Sequence, residues 1–136
     1  IRRAADPHAV VRAGAADVIV VKVKPLGGVR ACLALAEELG LPVTVSSALE
    51  SSVGVAAGVA LAAALPRTNA AGLATVAMLR ADVAATPLLP VDGELPVGRV
   101  VPDAITPAAP DLDRAWRDRL DRVAALAGID LQEVLA

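Results

Sequence analysis

The stretch Asp17-Val18-Ile19-Val20-Val21-Lys22-Val23-Lys24-Pro25-Leu26-Gly27-Gly28-Val29-Arg30 constrains this chain more than any other. Four consecutive β-branched residues, Val18 to Val21, predict a strand over 18–23 buried on both faces. Beside helices, that means a parallel sheet. Such a strand has no packing use for a cation, yet Lys22 stands at its end, and the chain then turns through Pro25 and Gly27-Gly28 into a helical pattern. Side chains alternate along a strand, so Lys22 and Lys24 share a face. The residues leave two uses of Lys22 open. Its stem snorkels out of the sheet end, or it is a functional group at the C-terminal end of a barrel strand, where active sites collect.

In order, residues 1–6 read as a loop, with Asp6 the N-cap of a short helix that starts at Pro7 and stops at Gly14. After the strand, Val29, Cys32, Leu33, Ala36 and Leu39 keep the spacing of one helix face. Gly40 ends that helix and Pro42 bars its continuation. Val43-Thr44-Val45-Ser46 is a second strand. The helix after it, about 52–65, is apolar all round and should be buried on more than one side, with Gly54 and Gly58 admitting another backbone. A third pass, Asn69 to Thr75, leads into a short helix to about Ala81. Strand–helix units thus recur at about 25 to 28 residues, as successive βα units do. We divide the chain into βα units over 1–82 and a Pro-rich segment with a closing helix over 83–136. In the second part Val97–Val101 is a candidate edge strand. Asp111 caps an amphipathic helix with Leu112, Trp116, Leu120, Val123 and Ala127 on one face.

Composition excludes several classes of function. With 15 acidic and 13 basic residues the formal charge is −2, and no basic excess points to nucleic acid. One Trp and no Phe or Tyr leave little for stacking on bases or sugars. The apolar run Val53–Leu65 is too short to cross a bilayer, and no signal-like segment is read, so a cytoplasmic place is expected. A single Cys32 excludes an intrachain disulfide and reads as core filler. His8 reads as solvated, and no pair of carboxylates shares a predicted rim. A complete α/β barrel needs roughly 250 residues, about twice this chain.

Three loops follow the carboxyl ends of three predicted parallel strands and so face one rim. They carry Lys22 and Lys24, then Ser46, Ser47, Glu50, Ser51 and Ser52, then Gly72 and Thr75. A cation, hydroxyls and an open glycine amide suit an anion-binding rim. Helix capping is the competing use of Ser51 and Ser52, with Glu50 favouring the helix dipole. Asp17 lies about 16 Å back along the first strand, at the opposite rim.

Together these segments resemble a known family. Val20-Val21-Lys22-Val23-Lys24-Pro25-Leu26-Gly27-Gly28-Val29, then Val45-Ser46-Ser47-Ala48-Leu49-Glu50-Ser51-Ser52-Val53-Gly54, then Ala71-Gly72-Leu73-Ala74-Thr75 are similar to the last three barrel strands of the o-succinylbenzoate synthases of the enolase superfamily. A lysine-bearing sixth strand alone also suits muconate-lactonising or dipeptide-epimerising relatives. The serine-rich seventh strand, and the lack of Asp-x-Asp at the eighth, favour the synthases.

The resemblance implies an α/β fold, the C-terminal portion of a (β/α)8-type barrel covering about residues 1–105. It also implies a capping domain built from both chain ends. The expected reaction is the Mg²⁺-dependent dehydration of 2-succinyl-6-hydroxy-2,4-cyclohexadiene-1-carboxylate to o-succinylbenzoate in menaquinone biosynthesis, through an enediolate. By position Lys22 would stabilise that enediolate, while Ser46 and the amide of Gly72 would bind the succinyl carboxylate. The family's three acidic metal ligands and its proton-abstracting lysine are expected upstream of Ile1, which is not a natural start. The chain alone is therefore expected neither to bind Mg²⁺ in the family's manner nor to catalyse. The expected partner is a small-molecule carboxylate, with no nucleic acid and no membrane; the oligomeric state stays open. An N-succinylamino acid racemase, where the same lysine serves as second acid/base, is the alternative. An inactive or binding-only βα module, in which the motifs persist as packing, is the alternative of another class.

Overall fold

Val18 to Val21 forms a strand, but a shorter and more one-sided one than its composition predicts. In the computed structural model, which describes residues 7–66 and 69–135, β1 (Ile19–Val21) pairs in parallel with β2 (Val43–Val45). Ile19 stands opposite Val43 and Val21 opposite Val45, so each pair shares a face. Ile19, Val21 and Val45 are buried, whereas Val18 and Val20 are 40% and 43% exposed. Burial on both faces, expected from the β-branched run, therefore fails. A barrel strand is covered on its inner side only when the barrel closes, and two strands with a single bridge beyond them do not close one.

The covered face meets two helices. The turn after β1 is held by Gly28 N–H donating to the Val23 carbonyl at 2.9 Å. It passes through Gly27 and Gly28 at φ +89° and +121°, a region that residues with a Cβ seldom enter. Then α2 (Val29–Leu39) buries Cys32, Ala36 and Leu39, and Gly40 stops it in the left-handed conformation. The helix α3 (Ser52–Ala64) packs against both α2 and β2. Its outer side, with Ala60, Ala63 and Ala64, is exposed, so it is apolar all round but not buried all round. Ile19, Val21, Cys32, Val45, Val55, Val59 and Leu61 make one core. The two α3 glycines admit side chains, not a second backbone. A Cβ on Gly54 would meet Glu50 Cβ at 2.5 Å, and one on Gly58 would meet Leu73 Cδ2 at 2.8 Å.

Ahead of β1, α1 (Pro7–Arg12) ends short of Gly14. The cap expected from Asp6 lies outside the described residues. His8 is not simply solvated: its Nε2 lies 3.1 Å from Glu38 Oε1 on α2.

The third strand shrinks to one parallel bridge, Ser46 to Gly72, followed by a 3₁₀ turn over Ala74–Met78. Asn69-Ala70-Ala71-Gly72 has no β-branched residue to favour a strand.

Capping of α3 also differs from expectation. Ser51 occupies the N-cap without a side-chain bond. Asp82 supplies the cap from thirty residues on. Its Oδ1 accepts from the Ser52 amide at 3.0 Å, its Oδ2 accepts from the Ser52 hydroxyl, and Ser52 Oγ accepts from the Leu88 amide at 2.7 Å. Burial pushes the Asp82 carboxyl up, but the bonds from the Ser52 hydroxyl and the Ser52 and Val83 amides outweigh it and hold it below its ordinary value.

These bonds tie the Pro-rich segment to the βα units, and the first of two compact units runs to Ile105. Val97–Val101 is not a strand. The hairpin-like bridge is instead Val91 to Glu94, around Asp92 and Gly93 at φ +50° and +82°.

The second unit begins at Thr106. Its α4 (Pro110–Ala127) has Pro110 in the first turn and Ala109 at the N-cap, so Asp111 is a first-turn acid and not the cap. Gly128, at φ +64°, stops it before α5 (Leu131–Leu135). Among the described residues no helix is long and apolar enough to cross a membrane.

Candidate active site

Lys22 is the residue directly after β1, and strand alternation puts it on the open face with Val18 and Val20. Ser46 follows β2 on that same face. Its amide donates to the Val21 carbonyl at 2.9 Å, so the ladder itself sets the two side chains side by side. The Lys22 ammonium donates to Ser46 Oγ at 3.1 Å and to the Ser47 carbonyl. Among the described residues no carboxylate is paired with it. Lys22 is half-buried, Lys24 exposed. Asp17 lies before β1, at the other end of the strand.

Gly72 joins from the third unit, with its missing side chain as the reason. A Cβ there would stand 3.1 Å from Ser46 Oγ, tighter than most such contacts. The Gly72 amide, expected to be open to a ligand, is spent on the sheet: it donates to the Val45 carbonyl at 2.8 Å. What Gly72 supplies is therefore room beside Ser46, not a free donor. That is a correction to the expected role, because the amide needed to pair the bridge is the same one a ligand would need.

Ser47 is buried, and its hydroxyl lies 2.6 Å from Thr75 Oγ1. Lys22, Ser46, Ser47 and Thr75 line the polar part of a cavity of about 510 Å³, and Pro25, Ala48 and Leu49 complete it. Glu50, expected to serve the α3 dipole, is buried and folds back to accept the Ala48 amide at 2.5 Å. Ala48–Glu50 closes as a tight turn around Leu49, at φ +65°. Nothing in the alternation of residue types announces that conformation; the Glu two residues after Ala48 was the only signal.

This arrangement is suited to an anion. A half-buried ammonium whose partners are two neutral oxygens keeps an unbalanced charge, and charge-assisted bonds to a carboxylate are the stronger kind. Ser46 Oγ accepts from Lys22, so its own proton is free to be donated. Its nearest acceptors, the carbonyls of Ser47 and Gly72, are both at 3.4 Å, long for a hydroxyl bond. A ligand carboxylate would be the better acceptor. A metal is a different matter. Among the described residues no three His, Cys, Asp or Glu side chains gather into a group that could hold an ion. Mg²⁺ does not fit these residues.

A family model described as enolase C-terminal domain-like matches residues 1–106. Among curated proteins, the o-succinylbenzoate synthase of Thermobifida fusca is 62% identical over 122 residues, 88% of this chain and 38% of that relative. The o-succinylbenzoate synthase of Mycobacterium marinum is 54% identical over 125 residues, again 88% of this chain and 38% of the relative. The chain thus spans well under half the length of these relatives. Among solved structures, a muconate cycloisomerase from Pseudomonas fluorescens matches with a TM-score of 0.58 at 28% identity, over 70% of this chain and 29% of that one. A muconate lactonizing enzyme from Pseudomonas putida matches at 0.56 and 26%, over 80% and 31%. With parallel β1 and β2, the helices that cover one of their faces and the match over residues 1–106, the chain belongs to the enolase C-terminal domain-like family.

Proposed function

We propose that this chain is the C-terminal part of an o-succinylbenzoate synthase, a lyase that dehydrates 2-succinyl-6-hydroxy-2,4-cyclohexadiene-1-carboxylate to o-succinylbenzoate in cytoplasmic menaquinone biosynthesis. The observation that carries this reading is the pairing of Lys22 with Ser46 on the open face, with no carboxylate among the described residues to balance the lysine. The synthases at 51–62% identity support the choice of substrate.

In this reading the substrate's α-carbon loses its proton and the ring loses hydroxide, which leave together as water. Lys22 faces the developing enediolate, and its ammonium stabilises charge that is larger in the transition state than in the substrate, the kind of interaction that raises rate. Ser46 donates its hydroxyl proton to the succinyl carboxylate. Gly72 leaves the space beside Ser46 that this carboxylate occupies.

The test is turnover by the full-length protein of the cyclohexadiene substrate and of an N-succinylamino acid, measured side by side. The reading expects dehydration to be the faster. Racemisation alone would move the assignment to the N-succinylamino acid racemases, and turnover of neither would end the enzyme reading.

A further inference from the structure

Lys22 owes its position to a residue two βα units away. One of its two acceptors is the carbonyl of Ser47, and Ser47 lies just past β2, beyond the β1–β2 pairing. Two bonds hold it instead, both from the third unit: its amide donates to the Gly72 carbonyl at 3.0 Å, and its hydroxyl lies 2.6 Å from Thr75 Oγ1. With Ser47 6% exposed, its hydroxyl has little water to turn to. The backbone bond fixes where Ser47 sits, the Ala48 amide's bond to Glu50 Oε2 at 2.5 Å holds the far end of the peptide that carries the Ser47 carbonyl, and the hydroxyl pair holds the Ser47 side chain.

We propose that Thr75 is a positioning residue for Lys22, acting through Ser47: the Ser47–Thr75 hydroxyl pair aims the Ser47 carbonyl at the Lys22 ammonium and so holds that charge at the cavity. The chemistry it serves rests on the reading above, but the positioning does not. A valine at position 75 keeps the shape and removes the hydroxyl. It also leaves the buried Ser47 hydroxyl without its partner, which costs stability in its own right. Thr75→Ser keeps the bond, and the double variant Ser47→Ala/Thr75→Val removes both hydroxyls and leaves no orphan.

The experiment measures two quantities in the full-length protein and its three variants. The first is the acylation rate of Lys22 relative to Lys24, read by peptide mass spectrometry with a small amine-reactive ester. The second is kcat and KM for dehydration. A lysine released from a directed acceptor reacts faster, so Thr75→Val and the double variant should raise the Lys22-to-Lys24 ratio several-fold, and Thr75→Ser should leave it near wild type. Because the ammonium stays and only its aim is loosened, kcat should fall about tenfold in the same two variants, less than the loss of a preorganised group itself, with KM within about twofold. Thr75→Ser should restore kcat. An unchanged acylation ratio in both hydroxyl-free variants overturns the proposal. So does a double variant with wild-type kcat, which would mean that the single variant only suffered its orphaned hydroxyl. A raised ratio in a protein that dehydrates nothing upholds the positioning and overturns only the synthase reading.

Discussion

The two faces of the short β1–β2 sheet, built from alternate residues of the same strands, have opposite characters. Ile19, Val21 and Val45 pack with Cys32, Val55, Val59 and Leu61 and are between 0% and 6% exposed. One residue out of phase, Val18, Val20, Lys22 and Ser46 lie on the uncovered side, and the two that are polar touch each other. A strand with period two divides its residues between packing and chemistry without any change of backbone. The lesson is that burial here is assigned by parity, not by residue type, since Val20 and Val21 are identical side chains with 43% and 0% exposure.

Substitutions can break or sharpen this contrast, beginning with the largest effect on stability. Ile19→Ala empties part of the covered face and should destabilise the 136-residue chain by about 2–5 kcal/mol in urea unfolding. A cost below about 1 kcal/mol would mean that this face is not a packed core.

Asp82→Ala should come next, at about 1–3 kcal/mol, because it leaves the Ser52 amide and the proton of the buried Ser52 hydroxyl without their acceptor. It carries a pH signature as well. The Asp82 carboxyl is held below its unfolded value of about 3.9, so its contribution is complete above that pH and is lost as pH falls through the folded value. Wild type should therefore lose stability on acidification below about pH 4, and the variant should lose less. Parallel pH curves would remove the cap.

Val20→Ala on the open face should be the smallest, less than about 1 kcal/mol in the same chain. A cost equal to that of Ile19→Ala would show that the second face is covered after all.

Much of the covered face was legible in the sequence, because local pattern dictates it. The spacing of Cys32, Ala36 and Leu39 marks α2, and Gly40 stops it where expected. The convergence of Lys22, Ser46 and Gly72 was legible too, since three strand ends of parallel βα units must meet at one rim. The features missed depend on distant partners. The α3 cap comes from Asp82, and no local reading of Ser51 and Ser52 finds it. The Gly72 amide is taken by Val45, which becomes visible only once the third unit is docked. The open face of β1 reflects what does not cover it, and four β-branched residues say nothing about that. The Asp92-Gly93 turn is different: that dipeptide is a known hairpin signal, legible in the sequence itself, whereas Val97–Val101 forms no strand.

The central claim is that the open face works through Lys22, aimed by the strand it ends, and not through a general excess of positive charge. Dehydration rates of full-length Lys22→Ala and Lys24→Ala test it most directly, because both remove one ammonium two residues apart. Lys22 is half-buried against Ser46, and Lys24 is exposed where the chain leaves the sheet. The account predicts a loss of at least about a hundredfold for Lys22→Ala, as for a preorganised electrostatic group, and a modest change at most for Lys24→Ala. Equal impairment of two folded variants, or a dead Lys24→Ala beside an active Lys22→Ala, would contradict it.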